Sequence, residues 1–147
     1  MKYLLMFVTL LVGALMPVQA ILNSKLGKQI GGPLMGSMIS FVVGLVFLVF
    51  LNLATNYTAV SQLRQTTATP WWVWLGGLLG AIFVGYITWV NQKQGLALTF
   101  SLVVSGQLLI SLFIDHYGLF GSAVRTITLE KILGVALIVG GMLLIKK

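Results

Sequence analysis

The chain has no cysteine, a single histidine (His116) and only two acidic residues, Asp115 and Glu130. Without cysteine there is no disulfide framework, thiol nucleophile or thiolate metal site. One histidine and two acids at helix ends cannot assemble a nucleophile–base–orienter set or a metal cluster, so neither an enzyme nor a cofactor-bearing protein is expected. Charge is also scarce, at 7% of residues, and a soluble domain of 147 residues could not cover itself with so little. The nine basic residues give a net charge of +7 but are scattered through short loops. That distribution lacks the one-sided basic stripe of a nucleic-acid binder, and no nucleic-acid partner is expected.

Hydrophobic residues make up 59% of the chain, gathered into runs long enough to cross a bilayer. A hydrocarbon core about 30 Å thick needs about 20 apolar residues per helix. Applying that template predicts five transmembrane helices, at approximately 3–22, 34–54, 71–91, 97–114 and 129–145. Together they form a single transmembrane domain over 1–147. Backbone groups in lipid must be paired internally, so the class is an all-α polytopic membrane protein.

The first twenty residues carry a Lys2 n-region, an apolar stretch over 3–16 and a Val18-Gln19-Ala20 end, the layout of a secretory signal peptide. Cleavage there would separate Gln19 from Asn23 and discard Pro17, and the downstream chain offers no secreted domain. The segment therefore reads as a retained first transmembrane helix. Other boundaries are conventional: Gly31-Gly32-Pro33 breaks the chain, Thr69-Pro70 offers an N-cap and first-turn proline, and Thr128 can cap the last helix. Trp71, Trp72 and Trp74 at one end of the third helix and Trp89 near the other fit aromatic belts at the two interfaces.

Small residues recur every four positions: Gly36, Ser40 and Gly44; Gly76 and Gly80; Ser101 and Ser105; Ala136 and Gly140. Such stripes let helices approach closely in lipid and predict packing seams. Orientation is less decided. With a cytoplasmic amino terminus, Lys2, Arg64, Arg125 and Lys131 lie inside and Lys25, Lys28, Lys93, Lys146 and Lys147 outside. Under the positive-inside rule, so near a balance selects neither orientation. It suits either a chain that inserts both ways and pairs antiparallel with itself, or one oriented by a partner.

Polar side chains within the spans are functional candidates by default. Pro17 removes a helical hydrogen bond and is expected to kink the first helix, while Gln19 and Asn23, one turn apart, place two amides on one face. Tyr86, Trp89 and Asn91 gather near the end of the third helix, and Gln107 stands midway along the fourth. A glutamine at that depth must face protein or water. Asp115 and His116 adjoin at the end of the fourth helix, where they are structural or a coupling site. No acid lies deep in a span. This argues against simple cation–proton exchange and favours a neutral, zwitterionic or anionic solute.

The runs PVQAILNSKLG (17–27), MISFVVGLVF (38–47), WWVWLGGLLGAIFVG (71–85), SGQLLISLFIDHYGLFG (105–121) and LEKILGVALIVGGMLL (129–144) resemble the five-helix, YdcZ-type members of the drug/metabolite transporter superfamily. The resemblance implies a bacterial inner-membrane half-transporter acting as a dimer, each chain being one inverted-repeat unit. It also places Pro17, Gln19, Asn23, Gln107, Asp115 and His116 on recurring positions of the family. The membrane glutamate of the related small multidrug exporters has no counterpart in the first helix.

Taken together, the expected function is alternating-access transport of a small solute. Gln19, Asn23 and Gln107 would contact the solute, with Tyr86, Trp89 and Asn91 shaping one mouth. Membrane lipid and a second copy or a paralogue are the expected partners. The alternative is a non-transporting membrane subunit that assembles with or stabilises another complex.

Overall fold

A computed structural model describes residues 1–55 and 69–145, and all of the regular structure in them is helical. Arg64, Lys146 and Lys147, which bear on the orientation, lie outside the described residues. In chain order the helices are α1 (Lys2–Ile30), α2 (Pro33–Thr55), a 3-10 turn (Trp71–Trp74) leading into α3 (Leu75–Gln94), α4 (Leu96–Tyr117), a 3-10 turn (Leu119–Gly121) and α5 (Leu129–Ile145). The first four spans are each long and apolar enough to cross a membrane. With 17 residues, α5 is about 25 Å long, at the lower limit for a span. The protein is an all-α polytopic membrane protein.

Its packing is inverted relative to a soluble domain. The buried apolar residues among those described are Ala20, Ile87 and Val90, whereas Asn23, Ser24, Ser37, Thr88, Asn91, Thr99 and Ser105 are buried polar ones. The long aliphatic side chains point outward. In lipid there is no reward for burying leucine, and hydrogen-bonding groups are what the interior must satisfy.

Two compact units make up the chain, Met1–Gln92 and Lys93–Lys147. In the first, α1 runs unbroken through Pro17 and past the apolar stretch to Ile30. Its 29 residues, about 43 Å, exceed the bilayer core, so the polar turns around Lys25 and Lys28 belong to the helix although no hydropathy rule would assign them to it. Ala20, the last residue of the signal-like run, is a buried helical position whose carbonyl accepts from Ser24 Oγ.

The helix stops at Gly31 and Gly32, with φ of 107° and 117°, and the Gly31 and Gly32 N–H groups both donate to the Gly27 carbonyl. Positive φ at both positions is why glycine occupies them. The chain then folds back on itself. Gly27 and Gly36 bring the α1 and α2 backbones into contact: a Cβ on Gly36 would meet the Asn23 carbonyl oxygen and lie 2.8 Å from Gly27 N. Farther along, α3 packs Gly85 against Leu34.

The expected seams are only partly realised. Gly36 is in close contact and Gly80 would reach Phe41, but Gly44, Gly76 and Gly140 face open space. Pro70 also differs from expectation: it stands at the N-cap, its carbonyl accepting from Val73 N–H, with no side-chain cap from Thr69.

In the second unit α4 ends at Gly118, in the left-handed region, and the chain turns back to α5. Arg125 N–H donates to the Asp115 carbonyl (2.8 Å) and Ile127 N–H to His116 Nδ1 (3.4 Å). Thr128 Oγ1 accepts from Lys131 N–H (3.4 Å), the N-cap expected for the last helix.

Candidate functional site

Within the first unit, the last turns of α1 and α3 and the first of α2 enclose a continuous polar seam. Ser24 Oγ lies 2.9 Å from the Ala20 carbonyl oxygen, 3.0 Å from that of Thr88 and 3.0 Å from Asn91 Oδ1. Ser37 Oγ lies 3.0 Å from both the Pro33 carbonyl oxygen and Thr88 Oγ1. Each serine has one proton, so Ser37 gives its own to the Pro33 carbonyl and accepts from the Thr88 hydroxyl. Thr88, fully buried, is the hub that ties α1 and α2 to α3.

The seam leaves donors over. Asn23, 3% exposed, and Asn91, 8% exposed, each keep a side-chain Nδ2 with no hydrogen-bond partner among the described residues. Turning the Asn91 carboxamide over would let Nδ2 meet Ser24 Oγ but would put Oδ1 in the vacated place, so one polar atom is left over either way. An unsatisfied buried amide costs about 1–3 kcal/mol, a penalty relieved by an occupant that supplies the missing hydrogen bond.

An apolar groove of about 530 Å³ opens on the other face of α3, lined by Pro33 and Leu34 from the hairpin and by Gly85, Tyr86 and Trp89. The two aromatic rings meet at 5.8 Å between centroids, tilted by 47°. A second groove of about 540 Å³ shares Leu34, Ala81 and Gly85 with the first and reaches Ser37 of the seam. Apolar surface with a few convergent polar groups is the ordinary composition of a small-molecule site.

The residues singled out from the sequence divide accordingly. Asn23 and Asn91 join the seam, Tyr86 and Trp89 line the groove, and Gln19 is half-buried one turn before Asn23. Pro17 lies on α1 two residues before Gln19. Gln107 is exposed on α4 of the second unit. His116 holds the chain between α4 and α5, and Asp115 borders a groove of that unit. Ser24, Ser37 and Thr88, which hold the seam together, carried no distinguishing signal in the sequence beyond their nearness to Asn23, Gly36 and Asn91.

A family profile described as "Putative inner membrane exporter, YdcZ" matches residues 4–144. The chain belongs to the YdcZ family. The match takes in nearly all of the amino-terminal helix and of both units and every candidate site residue named above, and it places the protein in the inner membrane. YdcZ is an exporter family and not an enzyme family. No curated protein and no solved structure matches the chain.

Proposed function

We propose that this YdcZ-family chain is one half of an exporter whose two copies, or one copy and a paralogue, pair antiparallel and move a small solute by alternating access. The observation that carries this reading is the pair of carboxamides, Asn23 and Asn91, buried within a membrane helix hairpin with one side-chain polar atom each left without a partner among the described residues. Intramembrane polar groups left without partners are costly, and a transported polar group would supply the missing bond. The solute is therefore one with a group that both donates and accepts hydrogen bonds, such as an amide or a carboxyl; the Tyr86–Trp89 groove is a separate apolar surface on the other face of α3. Gln19 extends the amide row by one turn.

The seam holds no carboxylate: Asp115 and Glu130, the chain's two acids, both lie in the second unit near the connection between α4 and α5. A titrating acid exchanging a proton for a cation has no place in it, in keeping with a neutral, zwitterionic or anionic solute. Gln107, exposed midway along α4, needs protein or water opposite it and is the natural contact with the second chain.

Flux into proteoliposomes, screened across solute classes, tests the reading. For any solute moved, Asn91→Leu is expected to reduce uptake about five- to tenfold, the worth of one buried hydrogen bond. Ser24 keeps the Ala20 and Thr88 carbonyls as partners, so the seam itself persists. Full transport by both Asn91→Leu and Asn23→Leu would remove the site.

A further inference from the structure

The second unit carries a different kind of groove, of about 360 Å³, between α4 and α5. At its mouth stand Asp115 and Lys131, with Ser111 one turn deeper, and beyond them the walls are apolar, ending at Leu108 on α4 and Ile138 on α5. From Asp115 to Leu108 and from Lys131 to Ile138 is seven residues each, about 10 Å of helix. Polarity thus falls from mouth to floor over most of the roughly 15 Å depth of one leaflet. That is the gradient of an amphiphile standing upright in the membrane.

The charges at the mouth specify the head. The carboxylate and the ammonium border the groove without forming an ion pair among the described residues. Lys131 Nζ gives one of its three protons to the Thr126 carbonyl (2.8 Å), which steadies the ammonium and leaves two donors free. Arg125 is tied by its backbone to Asp115, and Glu130 adjoins Lys131. Two bases and two acids therefore meet at this one helix connection of a chain whose net charge is +7 and which has no other acid. An anionic head could set its phosphate on Lys131 but would leave the Asp115 carboxylate without a cation. A head carrying both signs meets a partner for each.

We propose that this groove seats one phosphatidylethanolamine molecule, its ammonium on Asp115, its phosphate on Lys131 and one acyl chain along Gly134 toward Ile138. A primary ammonium can donate to a carboxylate and a serine hydroxyl, as a quaternary choline cannot. The occupant is a structural lipid of the second unit and is independent of the solute site in the first.

Native mass spectrometry of the purified full chain, with equimolar phosphatidylethanolamine, phosphatidylglycerol and phosphatidylcholine in the micelle, tests this. The wild type is expected to retain one phosphatidylethanolamine about threefold over either competitor, the worth of an interfacial ion pair. Asp115→Asn is expected to abolish that preference, and Lys131→Gln to lower retention of all three lipids. A Cβ at Gly134 meets nothing within 4 Å, so the side chain of Gly134→Phe starts into open space at the groove and is expected to exclude the lipid while thermal stability in lipid-free detergent holds. Equal retention of ethanolamine and glycerol heads by the wild type would overturn the proposal, as would a preference that survives Asp115→Asn. So would displacement of the bound lipid by soluble glycerophosphoethanolamine, which would make the site one for a water-soluble zwitterion.

Discussion

At the scale of single residues, Thr88 has the most to lose. Thr88→Val keeps the shape and removes Oγ1, leaving Ser37 only the Pro33 carbonyl. Interhelical hydrogen bonds in membranes are worth about 0.6 kcal/mol on average and about 1.7 at most. A loss within that range is expected for Thr88→Val in detergent unfolding. Ser24→Ala should cost more, because the one hydroxyl lies between the Thr88 carbonyl and the Asn91 carboxamide and its removal takes away the hydrogen bonding of α1 to α3 at both. Equal stability of both variants with the wild type would mean that the seam does not tie the three helices. These hydroxyls were illegible in the sequence for a physical reason. Serine and threonine in helices bond their own i−4 carbonyl wherever they are, as exposed Thr9 and Thr55 do with Leu5 and Leu51. Nothing in the letter distinguishes Ser24, which adds a bond across to α3, from those. Asparagine was legible because an amide has more donors and acceptors than one local bond satisfies. Asn52 Nδ2 reaches the Leu48 carbonyl as a serine would, yet its oxygen still needs a donor, so an amide at depth demands an explanation.

At the scale of elements, the α1–α2 hairpin depends on backbone contact at Gly27 and Gly36. Gly36→Ala is expected to push the helices apart and cost about 1–3 kcal/mol, since the neighbours of the new methyl are backbone atoms that cannot turn aside. Gly44→Ala, two turns on in the same stripe, faces open space and should be neutral or stabilising by up to about 1 kcal/mol. Thermal melts of the two variants side by side decide it; equal effects would mean that the stripe as a whole, and not the Gly36 contact, sets the packing. Sequence spacing treated these glycines alike because periodicity reports which residues share a face, not which face finds a neighbour. Helix number and type were legible because lipid imposes length and internal hydrogen bonding together. The extension of α1 to Ile30 was not, because hydropathy measures the slab and a helix is free to outrun it.

At the scale of the whole molecule, the near-balanced Lys and Arg distribution and the five spans expected from the sequence lead to the antiparallel pair of the proposed function. Gln107 makes that arrangement measurable. It lies at the centre of α4, eleven residues from Leu96 and ten from Tyr117. In a pair related by a two-fold axis in the membrane plane, only residues at mid-depth meet their own copies. A carboxamide is both donor and acceptor, so Gln107 can satisfy itself across such an axis. Phe100, two turns earlier on the same stripe, would then stand about 21 Å from its counterpart. In a parallel pair both positions would meet. The chain has no cysteine, so single thiols report without background. Under oxidant in native membranes, Gln107→Cys is expected to give a disulfide-linked dimer and Phe100→Cys none. Cross-linking at both positions would establish a parallel pair, and cross-linking at neither would take α4 out of the interface and leave Gln107 to be covered by solute or water.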